Sequence, residues 1–298
     1  MENAIVVKDL TKQYKSFLLD HFTFNVPKGT IVGFIGENGA GKSTTMKAML
    51  GLMPIEEGEV SLLGHRVEQG EREVSYKEQI GVVFDECNFP EYLKVKYVSG
   101  IMKNMYQTWD EYKFLGYMKR FELPEDRKIR ELSKGMKMKL SIAVALSHDS
   151  RLLILDEATS GLDPVIRNEL LDLFREFIQD EEHTIFISSH ITSDIEKIAD
   201  YVLFLHKGKL LMMKSKDELL YRYAIVKCGK KAAELIPTEL VAGRRDSEFG
   251  VSILINDREK LDEFIFKKKA GEVDTSPVVV EKINMEDLFL YLIGTEEN

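Results

Sequence analysis

The stretch GENGAGKST, Gly36–Thr44, decides how the rest of this 298-residue chain is read. It fits the pattern G-x-x-x-x-G-K-[ST], with Gly36 and Gly41 as the fixed glycines and Lys42 and Ser43 closing it. The run before it, TIVGFI (Thr30–Ile35), is apolar and β-branched, as a buried strand requires. The run after it, TTMKAML (Thr44–Leu50), carries Met46, Met49 and Leu50 at helical spacing. A glycine-rich turn between a strand and a helix points successive backbone N–H groups into one concavity, at the positive end of a helix dipole. Phosphate oxygens fit there, cradled by Gly36, Asn38, Gly39, Ala40, Gly41 and Thr44. Lys42 is expected to neutralise the terminal phosphates, and the Ser43 hydroxyl to give Mg²⁺ one of the hard oxygens it prefers.

Composition sets the bounds. The chain is 44% hydrophobic and 31% charged, enough for one large domain and a small one with a packed core. Its net charge of −9 argues against a nucleic-acid or acidic-membrane surface. Two cysteines, Cys87 and Cys228, without paired spacing suggest a reducing compartment. No apolar run approaches bilayer length and the chain opens directly on strand-like residues, so a cytoplasmic protein is expected.

Outward from the glycine loop, AIVVKDL (Ala4–Leu10) and FLLDHFTFNV (Phe17–Val26) read as strands, followed by the turn Pro27-Lys28-Gly29. Tyr14 lies in the connection. Ordinary packing is its plainer role on spacing alone, and stacking on a base is the other. VSLLG and IGVVF add strands. Residues 88–147 carry apolar residues at helical period and form a helical insert. The strand–helix alternation returns with Leu152–Leu155, Thr184–Ser188 and Tyr201–Leu205, with helices after Pro164 and from Ile191. Alternation of this kind means a doubly wound parallel sheet. Beyond about residue 215 the pattern becomes a small α+β appendage. REKLDEFIF places Leu261, Phe264 and Ile265 on one helix face. NMEDLFLYLIG reads as a helix capped at Asn284, with Met285, Leu288, Phe289 and Leu292 as its stripe and Gly294 as its stop.

Two further motifs carry chemistry. LLILDE (Leu152–Glu157) ends an apolar strand in two carboxylates, and strand ends in such a sheet face the ligand crevice. Asp156 suits Mg²⁺, and Glu157 suits a general base for an attacking water. LSKGMK (Leu132–Lys137) opens a helix with Ser133 as N-cap and Met136, Leu140, Ala143 and Val144 as its apolar stripe. Lys134, Lys137 and Lys139 crowd its first turns, against the macrodipole, which makes sense if an anion docks there.

The order of these motifs resembles the nucleotide-binding subunit of an ATP-binding-cassette (ABC) transporter, over roughly residues 4–214. The resemblance implies a P-loop RecA-like core with an antiparallel β subdomain and a helical insert over about 88–147. A small C-terminal α+β domain occupies 215–298. LSKGMK is similar to the LSGGQ signature, SGLD (Ser160–Asp163) to the D-loop, and ISSH ends on a switch histidine, His190. By the same resemblance Tyr14 becomes the residue that stacks on adenine, and His190 the γ-phosphate sensor. Ser133, Gly135 and Asp163 become contacts to nucleotide held by a second subunit. Asp85 stands where the family usually has glutamine. It still offers oxygen to Mg²⁺ or water, so Ser43, Asp85 and Asp156 form the expected metal set, and Glu157, His190 and Asp85 the catalytic one.

ATP and Mg²⁺ are the implied cofactors. A second ATP-binding subunit and a separate membrane permease are the implied partners, with the chain peripheral at the inner face of the membrane. Phe89–Leu93 is the expected docking loop. The insert with Trp109, the LSKGMK signature and the tail resemble bacterial exporters of bacitracin-like or other amphipathic peptides. The alternative is a soluble ABC ATPase working without a permease, such as a cofactor-assembly partner.

Overall fold

A computed structural model describes residues 2–68, 75–247, 250–269 and 278–296. The chain divides into two compact units, Met1–Met213 and Lys214–Asn298.

The first unit opens on the antiparallel pair β1 (Asn3–Tyr14) and β2 (Phe17–Pro27). In β2 the residues Phe22, Phe24 and Val26 are buried while their neighbours face outward, the period-two pattern of a sheet with one covered face. Strand β3 (Ile31–Gly36) leads into α1 (Lys42–Met49), then β4 (Glu57–Leu62), β5 (His65–Arg66) and β6 (Ile80–Val83). Three helices follow, α2 (Val98–Met105), α3 (Glu111–Arg120) and α4 (Lys134–Ala145). Strand β7 (Leu152–Asp156), α5 (Pro164–Phe177), β8 (Thr184–Ser189), α6 (Thr192–Ile198), β9 (Tyr201–His206) and β10 (Lys209–Ser215) complete it.

One sheet runs β2-β1-β4-β5 and the other β10-β9-β3-β8-β7-β6. In the second, β9, β3, β8, β7 and β6 pair in parallel. Every residue of β3, β7 and β8 is buried, as both faces of a parallel sheet demand. Aromatic rings join the two sheets: Phe24 stacks on Phe186 at 5.7 Å, and Phe34 lies 5.3 Å from Phe186 and 6.2 Å from Phe22. Among the described residues no helix is long and apolar enough to cross a membrane.

In α4 Met138, not Met136, belongs to the buried face, with Leu140, Ile142, Ala143 and Val144. The packed face of this helix is wider than the expected stripe and its edge falls one half-turn later.

The second unit comprises α7 (Lys216–Arg222), β11 (Ala224–Cys228), α8 (Lys230–Ala233), β12 (Val241–Ser247), β13 (Gly250–Ile255), α9 (Arg258–Lys269), β14 (Val279–Lys282) and α10 (Met285–Glu296). Its sheet order is β12-β13-β11-β14, antiparallel throughout. That order, on a βαββαβ sequence of elements, is the ferredoxin-like interlocking of two split βαβ units, with α10 added. Asn284 caps α10: its Oδ1 accepts from the Asp287 N–H at 2.8 Å and its side-chain amide donates back to the Asp287 carboxylate at 2.9 Å. Gly294 does not end this helix, which runs on to Glu296. A glycine stops a helix when it takes up a left-handed conformation, and Gly294 is absent from the positive-φ glycines.

Candidate functional site

Strand β3 ends at Gly36, where any side chain would meet the Leu205 carbonyl oxygen 2.8 Å from its Cβ. The loop then turns through Gly39 (φ +80°), which faces open space, and Gly41 (φ +115°), against which the Phe17 ring packs. Gly41 is the N-cap of α1 and offers no side chain to its first N–H groups, and no acidic residue sits in the first turn. The helix start is therefore a set of donors with room for an anion. From the other side, the two-residue turn Lys207-Gly208 between β9 and β10 supports the loop. The Gly208 N–H donates to the Ala40 carbonyl at 3.0 Å, and the Gly208 carbonyl accepts from Asp20 at 3.0 Å.

Lys42 is 5% exposed. Its ammonium donates to the Gly36 carbonyl at 2.7 Å and the Glu37 carbonyl at 3.2 Å, and lies 3.1 Å from Glu157 Oε1. This last contact is an ion pair by distance without hydrogen-bond alignment, since Oε1 has no hydrogen-bond partner. The other oxygen, Oε2, is 2.7 Å from His190 Nδ1. Glu157 itself sits at φ +52°, a left-handed conformation uncommon for any residue but glycine. Such backbone persists where its surroundings over-determine it, and it clusters at functional sites.

Ser188 supplies much of that determination. Its hydroxyl donates to Asp156 Oδ1 at 2.6 Å and accepts the Glu157 N–H at 3.0 Å. One hydroxyl thus fixes the directions of both carboxylate residues at the end of β7. The stretch ISSH contained Ser188, but nothing in its spacing distinguished it from an ordinary strand serine.

A cleft of about 440 Å³ brings together Tyr14, Asn38, Gly39, Gly41, Lys42, Ser43, Thr44, Asp85 and Glu157. Asp156, 1% exposed, and His190 join it through Ser188 and Glu157. Tyr14, 43% exposed, stands at the end of β1. Gly36 and Ala40 shape the loop rather than line the cleft. For a nucleotide the donor set fits: open space over Gly39, an ammonium held among carbonyls, and an exposed aromatic ring. For Mg²⁺, Ser43, Asp85 and Asp156 are hard oxygen donors. Among the described residues no three His, Cys, Asp or Glu side chains converge as a metal cage, and Mg²⁺ characteristically binds through one or two carboxylates, waters and phosphate oxygens.

Ser133, Gly135 and Asp163 do not line this cleft. They form a second patch at the starts of α4 and α5. Ser133 Oγ accepts from the Met136 N–H at 3.2 Å, so its own proton remains free to donate. Asp163 caps α5, accepting from Val165 and Ile166 at 3.1 Å each. A side chain at Gly135 would collide with Ile166, and the Lys134 ammonium lies beside Gly161 of the SGLD turn. The three lysines do not act alike. Lys139 turns aside to Glu169 at 2.7 Å and lies over Phe121. Lys134 and Lys137 line a cleft of about 520 Å³ with Asp85, Glu86, Cys87 and Glu91. Lys139 is thus tied up by a carboxylate, while Lys134 and Lys137 share their cleft with three carboxylates.

The sequence profile described as ABC transporter matches residues 19–160. A bacitracin transport ATP-binding protein, BcrA of Bacillus licheniformis, is 36% identical over 71% of this chain and 69% of its own. The protein of the same name from Enterococcus faecalis is 30% identical over 99% and 97%. A lantibiotic transport ATP-binding protein, SrtF of Streptococcus pyogenes, is 35% identical over 71% of this chain and 90% of its own. Among solved structures, an ATP-binding subunit of an ABC transporter superposes with a TM-score of 0.64 at 29% identity, covering 72% of this chain and 91% of that one. An ATP-binding cassette described as dimeric in a post-hydrolysis state, bound to ADP and phosphate, shares the fold with a TM-score of 0.63 at 21% identity. With the phosphate loop, the paired carboxylates and the capped signature helix in place, the chain belongs to the ABC transporter family, as one of its ATP-binding, ATP-hydrolysing subunits.

Proposed function

We propose that the chain is the motor of an exporter, closing on ATP against a second ATP-binding subunit and driving a separate membrane permease. The observation that carries this reading is the division of the chemistry into two patches. The cleft holds the groups that bind a triphosphate and activate water, namely Lys42, Ser43, Asp85, Asp156, Glu157 and His190. The patch of Ser133, Gly135 and Asp163 holds a free hydroxyl proton, a close-approach glycine and a rigid turn, with no triphosphate site of its own. Each is the complement of the other on a neighbouring copy, or on a sibling subunit, across a two-fold interface. In this scheme Glu157 accepts the proton of the attacking water and His190 holds Glu157 and senses the terminal phosphate. Tyr14 carries the base, and Asp85 faces water or Mg²⁺, which when bound supplies charge neutralisation to the phosphates. Loss of the shared phosphate relaxes the pair, a ligand-driven population shift.

The permease surface is best placed at the helical insert. Tyr92, within the expected docking loop, is 72% exposed, and Tyr97 at the N-cap of α2 with Ile101 and Met105 inside it recur every fourth residue at 55%, 38% and 65% exposure. An exposed apolar stripe of this kind supports an interaction site there. The names of the relatives support amphipathic peptides as cargo. Affinity purification of the tagged chain from detergent-solubilised membranes tests the proposal. A co-purifying integral membrane protein is expected, and its loss on Tyr97→Glu with Met105→Glu. Recovery of the chain free of any membrane protein, with full ATPase activity, would instead favour a soluble ATPase.

A further inference from the structure

The segment that follows α1 reaches back to the base end of the cleft, and its contacts converge on Tyr14. An exposed aromatic at the end of a strand has several staggered side-chain positions open to it. Here the ring is held on several sides. Its hydroxyl donates to Met53 Sδ at 3.8 Å, the Lys12 ammonium lies 5.4 Å from its centroid, and Phe17 packs at 6.4 Å with the planes tilted by 45°. Lys12 is in turn fixed: it is 8% exposed and donates to Glu56 Oε1 at 3.0 Å. The second oxygen, Glu56 Oε2, accepts the Gln13 N–H at 2.9 Å, and the Glu56 N–H donates to the Thr11 carbonyl at 3.0 Å. One residue thus grips Thr11, Lys12 and Gln13 in succession, immediately ahead of Tyr14.

We infer that Glu56 is a positioning residue for nucleobase binding, acting through Lys12 to hold the Tyr14 ring as a fixed ledge. The inference rests on the reading of Tyr14 as the base-stacking residue. A cation over one face of the ring leaves the other for the base, so the base completes a sandwich of ammonium, phenol and purine. The carboxyl of Glu56 lies below the usual carboxylate range, first because Lys12 donates to it and next because the Gln13 N–H does. It is therefore ionised wherever Lys12 needs a counter-ion. The same segment joins the two ends of the ligand: α1 starts at the phosphate loop, and the residues just past its end, Met53 and Glu56, hold the ledge.

Binding of ATP and of inorganic tripolyphosphate to the full chain, measured by calorimetry, separates ledge from cradle. Tyr14→Ala is expected to weaken ATP about tenfold, the loss of one stacked base, and to leave tripolyphosphate unchanged. Glu56→Gln is expected to weaken ATP about threefold to tenfold, again without effect on tripolyphosphate, because releasing the Lys12 cation loosens the Tyr14 ring and leaves the phosphate loop untouched. In turnover, Glu56→Gln should raise KM and leave kcat within about twofold, as loss of uniform binding does. Lys12→Met should behave like Glu56→Gln, Lys12→Arg should retain wild-type affinity, and Glu56→Gln added to Tyr14→Ala should cause no further loss. Unchanged ATP affinity in Glu56→Gln, with Tyr14→Ala weakened, overturns the positioning role and leaves the ledge standing. Equal weakening of both ligands by Glu56→Gln also overturns it, since that marks general structural damage. Unchanged ATP affinity in Tyr14→Ala removes the ledge itself, and the inference with it.

Discussion

Two helix starts in the first unit illustrate opposite solutions to the same problem. Helix α1 leaves its N-terminal donors without a side-chain cap and surrounds them with glycine, so the place of an acceptor is kept open. Helix α4 fills one of its donors with its own Ser133 and presents that serine's proton outward instead. Around the first, Lys42, Glu157, His190, Ser188 and Asp156 form one connected network, buried at Lys42, Asp156 and Ser188 and reaching the surface at His190. Around the second, the Ser133 cap, Gly135 and the Asp163 cap make a patch apart from the Lys42 cleft. The difference bears on the proposal that the first is a self-contained site and the second a half-site, since the two direct their hydrogen-bonding capacity differently. The first turns it inward and the second outward.

The largest effect that would sharpen this contrast is expected for Glu157→Gln. Removing the base should lower phosphate release by about 10²–10⁴-fold while ATP still binds; turnover near wild type in a malachite-green assay would remove Glu157 from that role. Next comes Ser133→Ala, which should cost about tenfold to a hundredfold in hydrolysis and leave nucleotide affinity within about twofold. If affinity fell instead and turnover per bound ATP did not, the signature patch would belong to ground-state binding and the contrast would blur. Ser188→Ala tests the connected network. It leaves the Glu157 N–H and the buried Asp156 carboxylate without their partner, so a loss of about 1–3 kcal/mol in denaturant unfolding is expected, together with reduced hydrolysis. An unchanged midpoint would mean that the two carboxylates hold their geometry without it.

The smallest effect concerns pH. His148, just past α4, stacks on Tyr106 at 4.1 Å and donates from Nδ1 to the Glu78 carbonyl at 2.7 Å; burial holds its pKa below the ordinary histidine value of 6.5. A depressed pKa means that the unfolded chain binds the proton more readily. The stability contributed by neutral His148 is therefore intact above about 6.5 and is lost as pH falls toward its folded value. Thermal melts should show this slope as pH falls below about 6.5 in the wild type and a flatter one in His148→Phe. Equal slopes would place the acid-sensitive group elsewhere.

Much of this was legible because the signals were local. The phosphate loop needs glycines at fixed offsets and a lysine after the second. The short runs Leu152–Leu155 and Thr184–Ser188, apolar but for the terminal Thr184 and Ser188, read as strands covered on both faces. The Ser133 and Asn284 caps follow from residue type at a helix start. What escaped depended on contacts made across the chain. Ser188 reaches Asp156 from a neighbouring strand, Glu56 grips β1 from 43 to 45 residues away, and Lys139 turns to Glu169 rather than toward an anion. The sheet order of the second unit is likewise a matter of non-local pairing. Gly294 was misleading for a different reason: glycine permits a helix stop without requiring one.

The central claim is that the Lys42 cleft of one subunit is completed by the Ser133 helix end of another. It is tested most directly by disulfide trapping in a Glu157→Gln background, with Cys87→Ser and Cys228→Ala. Two populations are mixed, one carrying Asn38→Cys and the other Ser133→Cys, so that a bond can form only between chains. The account predicts a crosslinked dimer that appears with Mg·ATP and is absent with ADP. Crosslinking that is absent under ATP, or indifferent to the nucleotide, would contradict it.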